Sequence, residues 1–140
     1  MAAALRGDES GAQAKKFVKS ALLRAFNPTL EPDVLIQAHS ASMRITFYSG
    51  SQFPAEYQGD AFAAEHGSWN RAKRTGYKVI RVWLKDGVPT GEYQDFMTGF
   101  VVSDSSVWGR PVGVTVAHDG ALLVSEDGNG TIWRISYRGE

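Results

Sequence analysis

Two stretches of this chain share one plan, and a repeated plan constrains a fold more tightly than any single motif. Gly120-Ala121-Leu122-Leu123-Val124-Ser125 answers Gly59-Asp60-Ala61-Phe62-Ala63-Ala64, and Thr131-Ile132-Trp133-Arg134-Ile135 answers Lys78-Val79-Ile80-Arg81-Val82. Each unit reads as a glycine, a short apolar strand, a polar loop, and a second strand of apolar, aromatic and arginine character. Tyr77, Val79, Arg81 and Trp83 alternate with Lys78, Ile80, Val82 and Leu84, the pattern of a strand with at least one apolar face. In the first unit the intervening loop carries Glu65, His66, Ser68, Trp69, Asn70, Arg71, Lys73 and Arg74, a dense set of groups able to hold a ligand.

The remaining text after residue 33 has the same strand-and-turn character. Val34 to Ala38 and Met43 to Tyr48 are strand candidates, and Lys85-Asp86-Gly87 is a turn whose connection includes Val88-Pro89. Gly91 to Phe100 gives a further strand or two, and Ser103 to Ser106 is a polar run. His118-Asp119-Gly120 and Asp127-Gly128-Asn129-Gly130 are turns between Val112 to Ala117, Ala121 to Ser125 and Thr131 to Tyr137. The expectation is seven or eight strands, with Ala61 to Ala64, Val79 to Trp83, Val112 to Val116, Leu122 to Val124 and Ile132 to Ile135 as inner strands. Before them, Gln13 to Phe26 has helical periodicity through Phe17, Val18, Ala21, Leu22 and Ala25, and Asn27-Pro28 ends it. This basic amphipathic helix reads as one docking on a domain or a neighbouring chain, or as one lying on a membrane surface. The expected division is residues 1–29 as tail and helix and residues 30–140 as one β domain.

The charge balance, 15 Lys and Arg against 15 Asp and Glu, suggests no acidic or basic partner. A small basic patch of Arg71, Lys73, Arg74 and Lys78 interleaves with Trp69 and Tyr77, but zero net charge and the glycine-rich strand context argue against nucleic acid. No run of about 18 apolar residues offers a membrane span, and the start has no signal-peptide core. The absence of cysteine excludes disulfides and thiolate chemistry.

Several long words go further. HGSWNR at His66 to Arg71, GYKVIRV at Gly76 to Val82, WGRPVGV at Trp108 to Val114, FYSGSQFPAEYQGDAF from Phe47 and GALLVSEDGNGTIWRI from Gly120 resemble the soluble quinoprotein sugar dehydrogenases, and most closely their L-sorbosone dehydrogenase branch. The resemblance covers Leu30 to Tyr137 and the C-terminal portion of the family. It implies an all-β fold, part of a six-bladed β-propeller of four-stranded blades, with pyrroloquinoline quinone across the channel mouth and calcium beside it. A blade takes about 40 to 45 residues, so the chain supplies about two to two and a half blades. The family's general-base histidine belongs to an earlier blade and is not matched by His39, His66 or His118; the calcium loop has no counterpart to place. Family members are often periplasmic or secreted.

Within that resemblance the cofactor-binding candidates are Arg110, His66, Asn70 and Arg71. The quinone has three carboxylates, and a guanidinium holds a carboxylate through two parallel hydrogen bonds. A neutral imidazole could bond a quinone oxygen or accept a proton from a sugar hydroxyl, or simply bond a neighbouring carbonyl. Trp69 is expected to pack under the loop. Arg44 stands where the family has glycine, in a segment that is in register with Arg110-Pro111-Val112-Gly113. Either Arg44 enters the channel as an added anion contact or the cofactor site has been lost. Two functions follow: a quinoprotein oxidoreductase passing electrons from a sugar or aldehyde to an external acceptor, or a non-catalytic propeller fragment acting as a structural or binding module. Open blade faces predict a homo-oligomer, with a trimer completing six blades ahead of an edge-paired dimer or a solitary domain.

Overall fold

The computed structural model describes residues 32–139, so the predicted helix lies outside the described residues. Among these the chain is all-β, with one 3-10 turn at Ala55–Tyr57. Strands β1 (Ser42–Phe47), β2 (Ala61–Glu65), β3 (Lys78–Lys85) and β4 (Val88–Met97) form an antiparallel sheet in sequence order. A two-stranded hairpin comes next, β5 (Val101–Ser103) with β6 (Ser106–Val107). Then β7 (Pro111–Val116), β8 (Leu122–Glu126) and β9 (Thr131–Ile135) form a second, three-stranded sheet. This is a partial, propeller-like stack of consecutive meander sheets.

The internal repeat holds down to the register. Ile45 pairs Ala63 and Ala63 pairs Ile80 in the first sheet; Val114 pairs Val124 and Val124 pairs Trp133 in the second. Even the irregularity recurs, between Ser42 and Arg44 in β1 and between Pro111 and Gly113 in β7. A bulge bends its strand and re-aims the side chains beside it, and here it stands at the same end of both first strands. Each arginine of the repeat also finds an aspartate. Arg81 is buried, its Nε 2.6 Å from Asp60 Oδ2 and its guanidinium 3.7 Å above the Tyr57 ring, while exposed Arg134 pairs Asp119. A buried cation is tolerable only with such a partner.

The two sheets meet face to face. Phe62, Ala64 and Val79 of the first pack on Val114, Leu122 and Val124 of the second, with Tyr48 and Phe53 closing the cluster. Tyr48, 1% exposed, pins the sheets together: its hydroxyl donates to the Gly120 carbonyl at 2.7 Å and accepts the Phe53 amide at 2.8 Å. Backbones approach so closely here that a Cβ on Gly50 would lie 2.6 Å from Gly120 Cα. Gly120 itself has φ +86°, which a side chain rarely adopts. The contact sets β1 beside β7. On the far face of the first sheet, Ala61, Ala63, Ile80 and Val82 form a second cluster, flanked by a cleft of about 360 Å³ that exposed Met43 and Ile45 line.

Several expectations change. Val34 to Ala38 is not a strand: positive φ at His39 and Ala41 turns the chain before β1, and Val34 and Ile36 pack on the second cluster instead. Val88-Pro89 belongs to β4, an edge strand where proline's missing N–H costs no ladder bond. The polar run Ser103 to Ser106 is the turn of the β5–β6 hairpin, which raises the count to nine strands among the described residues. Of the five expected inner strands, β2, β3 and β8 are interior, whereas β7 and β9 are edges of a sheet with one strand between them.

Replacing Tyr48 with Phe strands a buried amide and a carbonyl at the junction of the sheets. Urea unfolding of Tyr48→Phe is expected to show a loss of about 1–3 kcal/mol with an unchanged m-value; a loss below about 0.5 kcal/mol would show that the hydroxyl does not join them.

Candidate functional site

Because the registers match, β2 and β8 end at the same edge of the stack, and both end in a buried glutamate, Glu65 and Glu126. Glu126 organises the turn between β8 and β9. Its carboxylate accepts the amides of Gly128 at 2.8 Å, Asn129 at 3.0 Å, Thr131 at 3.2 Å and Arg110 at 3.3 Å. Burial works to raise its pKa, but the Arg110, Asn129, Thr131 and Gly128 amides outweigh it and hold the group below its ordinary range. The nest also locks the start of β7 to the turn after β8, since the Asp127 amide donates to the Arg110 carbonyl at 3.2 Å.

That lock places Arg110 and Asp127 side by side, with Arg110 Nε 2.9 Å from Asp127 Oδ1. From the first sheet comes His66, which is next to Glu65 and is held by its own amide on the Ala41 carbonyl at 3.0 Å. Its Nε2 lies 3.2 Å from both Asp127 oxygens. Two sequence-predicted residues, His66 and Arg110, therefore meet across the two sheets through a carboxylate between them. All three side chains are partly open to solvent, at 28, 44 and 50% for His66, Arg110 and Asp127, so a ligand can reach them.

The other two candidates lie on the loop beyond. Arg71 donates to the Ala38 carbonyl at 3.0 Å, and Asn70 is exposed. Trp69 does not pack under this loop; it is 85% exposed. Tyr77 takes that place, buried, with its hydroxyl on the Ser68 carbonyl and its ring where a Gly67 Cβ would fall, at 2.4 Å. Arg74 braces the same loop through the Ser68 carbonyl, the Tyr77 hydroxyl and the Ser105 carbonyl. Arg44 lines an open cleft of about 520 Å³ between β1 and β7, together with Val112, Gly113 and Ile132. Its position on β1 is that of Gly113 on β7, as the sequence register anticipates.

Sequence reasoning passes over Asp127, which reads only as a turn residue, and the equivalence of Glu65 with Glu126. The signal is present: extending the repeat by one position sets the two glutamates against each other, each at the mouth of a polar turn. They differ in one respect. Glu65 accepts Ser42 Oγ at 2.5 Å, and its other oxygen is buried without a partner. Among the described residues no three His, Cys, Asp or Glu side chains converge on a point that could hold a metal ion, so calcium has no side-chain cluster here.

Comparison with known proteins fits this architecture. The TrAA12-like family model matches residues 16–138. An uncharacterized protein of Borreliella burgdorferi is 40% identical over 103 residues, which are 73% of this chain and 27% of that protein. The holo form of a pyranose dehydrogenase PQQ domain from Coprinopsis cinerea superposes with a TM-score of 0.61 at 26% identity, over 84% of this chain and 31% of that one. The calcium structure of the Trichoderma reesei carbohydrate-active enzymes family AA12 superposes with a TM-score of 0.60 at 24% identity, over 74% of this chain and 26% of that one, a likeness of fold. The chain thus spans between a quarter and a third of the length of these proteins.

A carboxylate with a depressed pKa stabilises the fold above its unfolded value, about 4.3 for Glu, and that contribution is lost as pH falls through the folded value. Glu126→Gln is expected to cost about 1.5–3 kcal/mol near neutral pH, with the gap to the parent closing below about pH 4 as the parent protonates. Urea midpoints measured between about pH 3 and 7 check this; a gap that does not vary with pH would remove the ionised nest from the account.

Proposed function

This chain belongs to the TrAA12-like family, and from that premise we propose that it is the late-blade portion of a quinoprotein oxidoreductase that oxidises an aldose or sorbosone-type sugar with pyrroloquinoline quinone. The observation that carries the reading is the meeting of Arg110 and His66 at one end of two repeat-related sheets. The donor set suits the cofactor: a partly exposed guanidinium whose Nε side is taken by Asp127, with an imidazole beside it. Arg110 would hold a quinone carboxylate through its remaining donors, and His66 would bond an oxygen-bearing group next to it. Asn70 and Arg71, on the exposed loop beyond, would face the outer part of the ligand. When bound, the quinone supplies the redox chemistry, taking a hydride equivalent from the sugar for delivery to an external acceptor. The protein's part is orientation and charge complementarity.

At between a quarter and a third of its relatives' length, the chain offers part of such a site. We propose that the general base and the calcium ligands come from further polypeptide, and that the remaining blades of a six-bladed ring come from further polypeptide or, with two blade-like sheets among the described residues, from three copies around one axis. A second reading, a non-catalytic binding module, draws on Arg44, whose side chain replaces the glycine that would let a ligand approach β1 closely.

Titration calorimetry with pyrroloquinoline quinone and calcium separates these. The expected result is saturable binding that weakens about tenfold or more in Arg110→Ala and is unchanged in Lys73→Ala, an exposed cation of the loop. Equal affinity in Arg110→Ala and the parent would remove Arg110 from the site. No binding at all would overturn the quinoprotein reading for this chain and favour the module.

A further inference from the structure

We propose that Asp127 is a positioning residue that fixes the tautomer of His66, so that the neutral imidazole carries its proton on Nε2 and its acceptor lone pair on Nδ1. A ligand that reaches Nδ1 must then offer a donor, such as the hydroxyl of a sugar or of a reduced quinone, rather than a carbonyl or carboxylate. This rests on the quinoprotein reading for the ligand's identity, but the tautomer itself does not.

Three observations lead there. His66 Nε2 is 3.2 Å from both oxygens of Asp127, and an ionised carboxylate can only accept. Nε2 must therefore carry the proton, which in a neutral ring leaves Nδ1 with the lone pair. Second, Asp127 cannot easily turn away. Its amide is bonded to the Arg110 carbonyl, its carboxylate is paired with Arg110 Nε at 2.9 Å, and the flanking turn is held by the Glu126 nest. Third, His66 is itself fixed at the end of β2 through the Ala41 carbonyl, so the ring and the carboxylate arrive from two sheets already in register. One carboxylate thus serves two tasks: it neutralises part of the Arg110 charge and orients the ring beside it. Neither task is visible from the sequence, where Asp127 opens an ordinary Asp-Gly-Asn-Gly turn.

Asp127→Asn gives the discriminating test, because it keeps the shape and reverses the polarity. The amide oxygen stays with the Arg110 guanidinium and the NH₂ group turns to the ring, which then needs an unprotonated Nε2 and carries its proton on Nδ1. The same logic makes an Asp-to-Asn exchange impose the wrong histidine tautomer in a serine-protease triad. Nitrogen-15 NMR of ring-labelled protein, recorded at a pH where imidazole is neutral, reads the tautomer directly. The expected result is Nε2–H in the parent, with that proton slow to exchange, and Nδ1–H in Asp127→Asn, while the backbone amide spectrum of β1 to β9 stays in place. An Nδ1–H tautomer in the parent, or an unchanged tautomer in a folded Asp127→Asn, would overturn the proposal. Should Asp127→Asn not fold, Asp127→Ala is measured instead: the proposal requires the Nε2 proton to become fast-exchanging, and retained slow exchange would overturn it. Because no quinone is present in these measurements, a failure to bind quinone leaves their outcome intact, and the two readings fail separately.

Discussion

The Tyr48 hydroxyl is the fixed point of this structure. By accepting from the Phe53 amide and donating to the Gly120 carbonyl, it joins the first sheet, the loop after β1 and the turn before β8 in one buried place. Gly50 and Gly120 are required at the same spot, because any Cβ on Gly50 would drive into the opposite backbone and Gly120 has a positive φ. With the sheets joined there, the Phe62, Ala64 and Val79 face is covered by Val114, Leu122 and Val124. Burying a side chain of this class contributes about 1.5–3 kcal/mol. Hydrophobic burial supplies most of the attraction between the sheets, and the tyrosine bond supplies its registration.

Registration is what produces the site. Each sheet has the same pairing and the same bulge near the start of its first strand, so joining them at one end brings their equivalent other ends together. The ends carry related chemistry in different states. Glu126 is saturated with backbone amides and makes a rigid turn, whereas Glu65 has one bond to Ser42 and one buried oxygen left over. The next residue in each unit diverges accordingly. Asp127 is held where it can serve its neighbours, and His66 reaches it from the adjacent sheet. A repeat has thereby yielded one structural turn and one chemical one.

Much of this is legible in the sequence, and the rest is hidden for identifiable reasons. The repeat words predict the strand pairs β2–β3 and β8–β9, and the register of Arg44 with Gly113 is readable from the residues alone. Val34 to Ala38 misleads because an apolar alternation looks the same whether it pairs or merely packs, and the positive φ of His39 and Ala41 carries no warning in residue type. Tyr77 takes the place expected of Trp69 because size alone does not say which ring lies beneath a loop; the tyrosine hydroxyl has a carbonyl to bond there. Arg110 and His66 are found through a family resemblance, but their meeting is a tertiary fact. It depends on His66 and Asp127 coming together from 61 positions apart in sequence, and no local pattern encodes that distance.

The two repeat units pack as consecutive sheets joined at Gly50 and Gly120, and the candidate site exists only because they do. Nuclear Overhauser spectroscopy on the intact chain tests this at the junction itself, where backbones far apart in sequence touch. The predicted result is a strong cross-peak between the Gly50 and Gly120 α-protons and another from the Tyr48 ring to Gly120. A folded spectrum with intrasheet contacts in both units but neither of these cross-peaks would mean that the sheets are not docked in this way, and that His66 and Arg110 do not share a site.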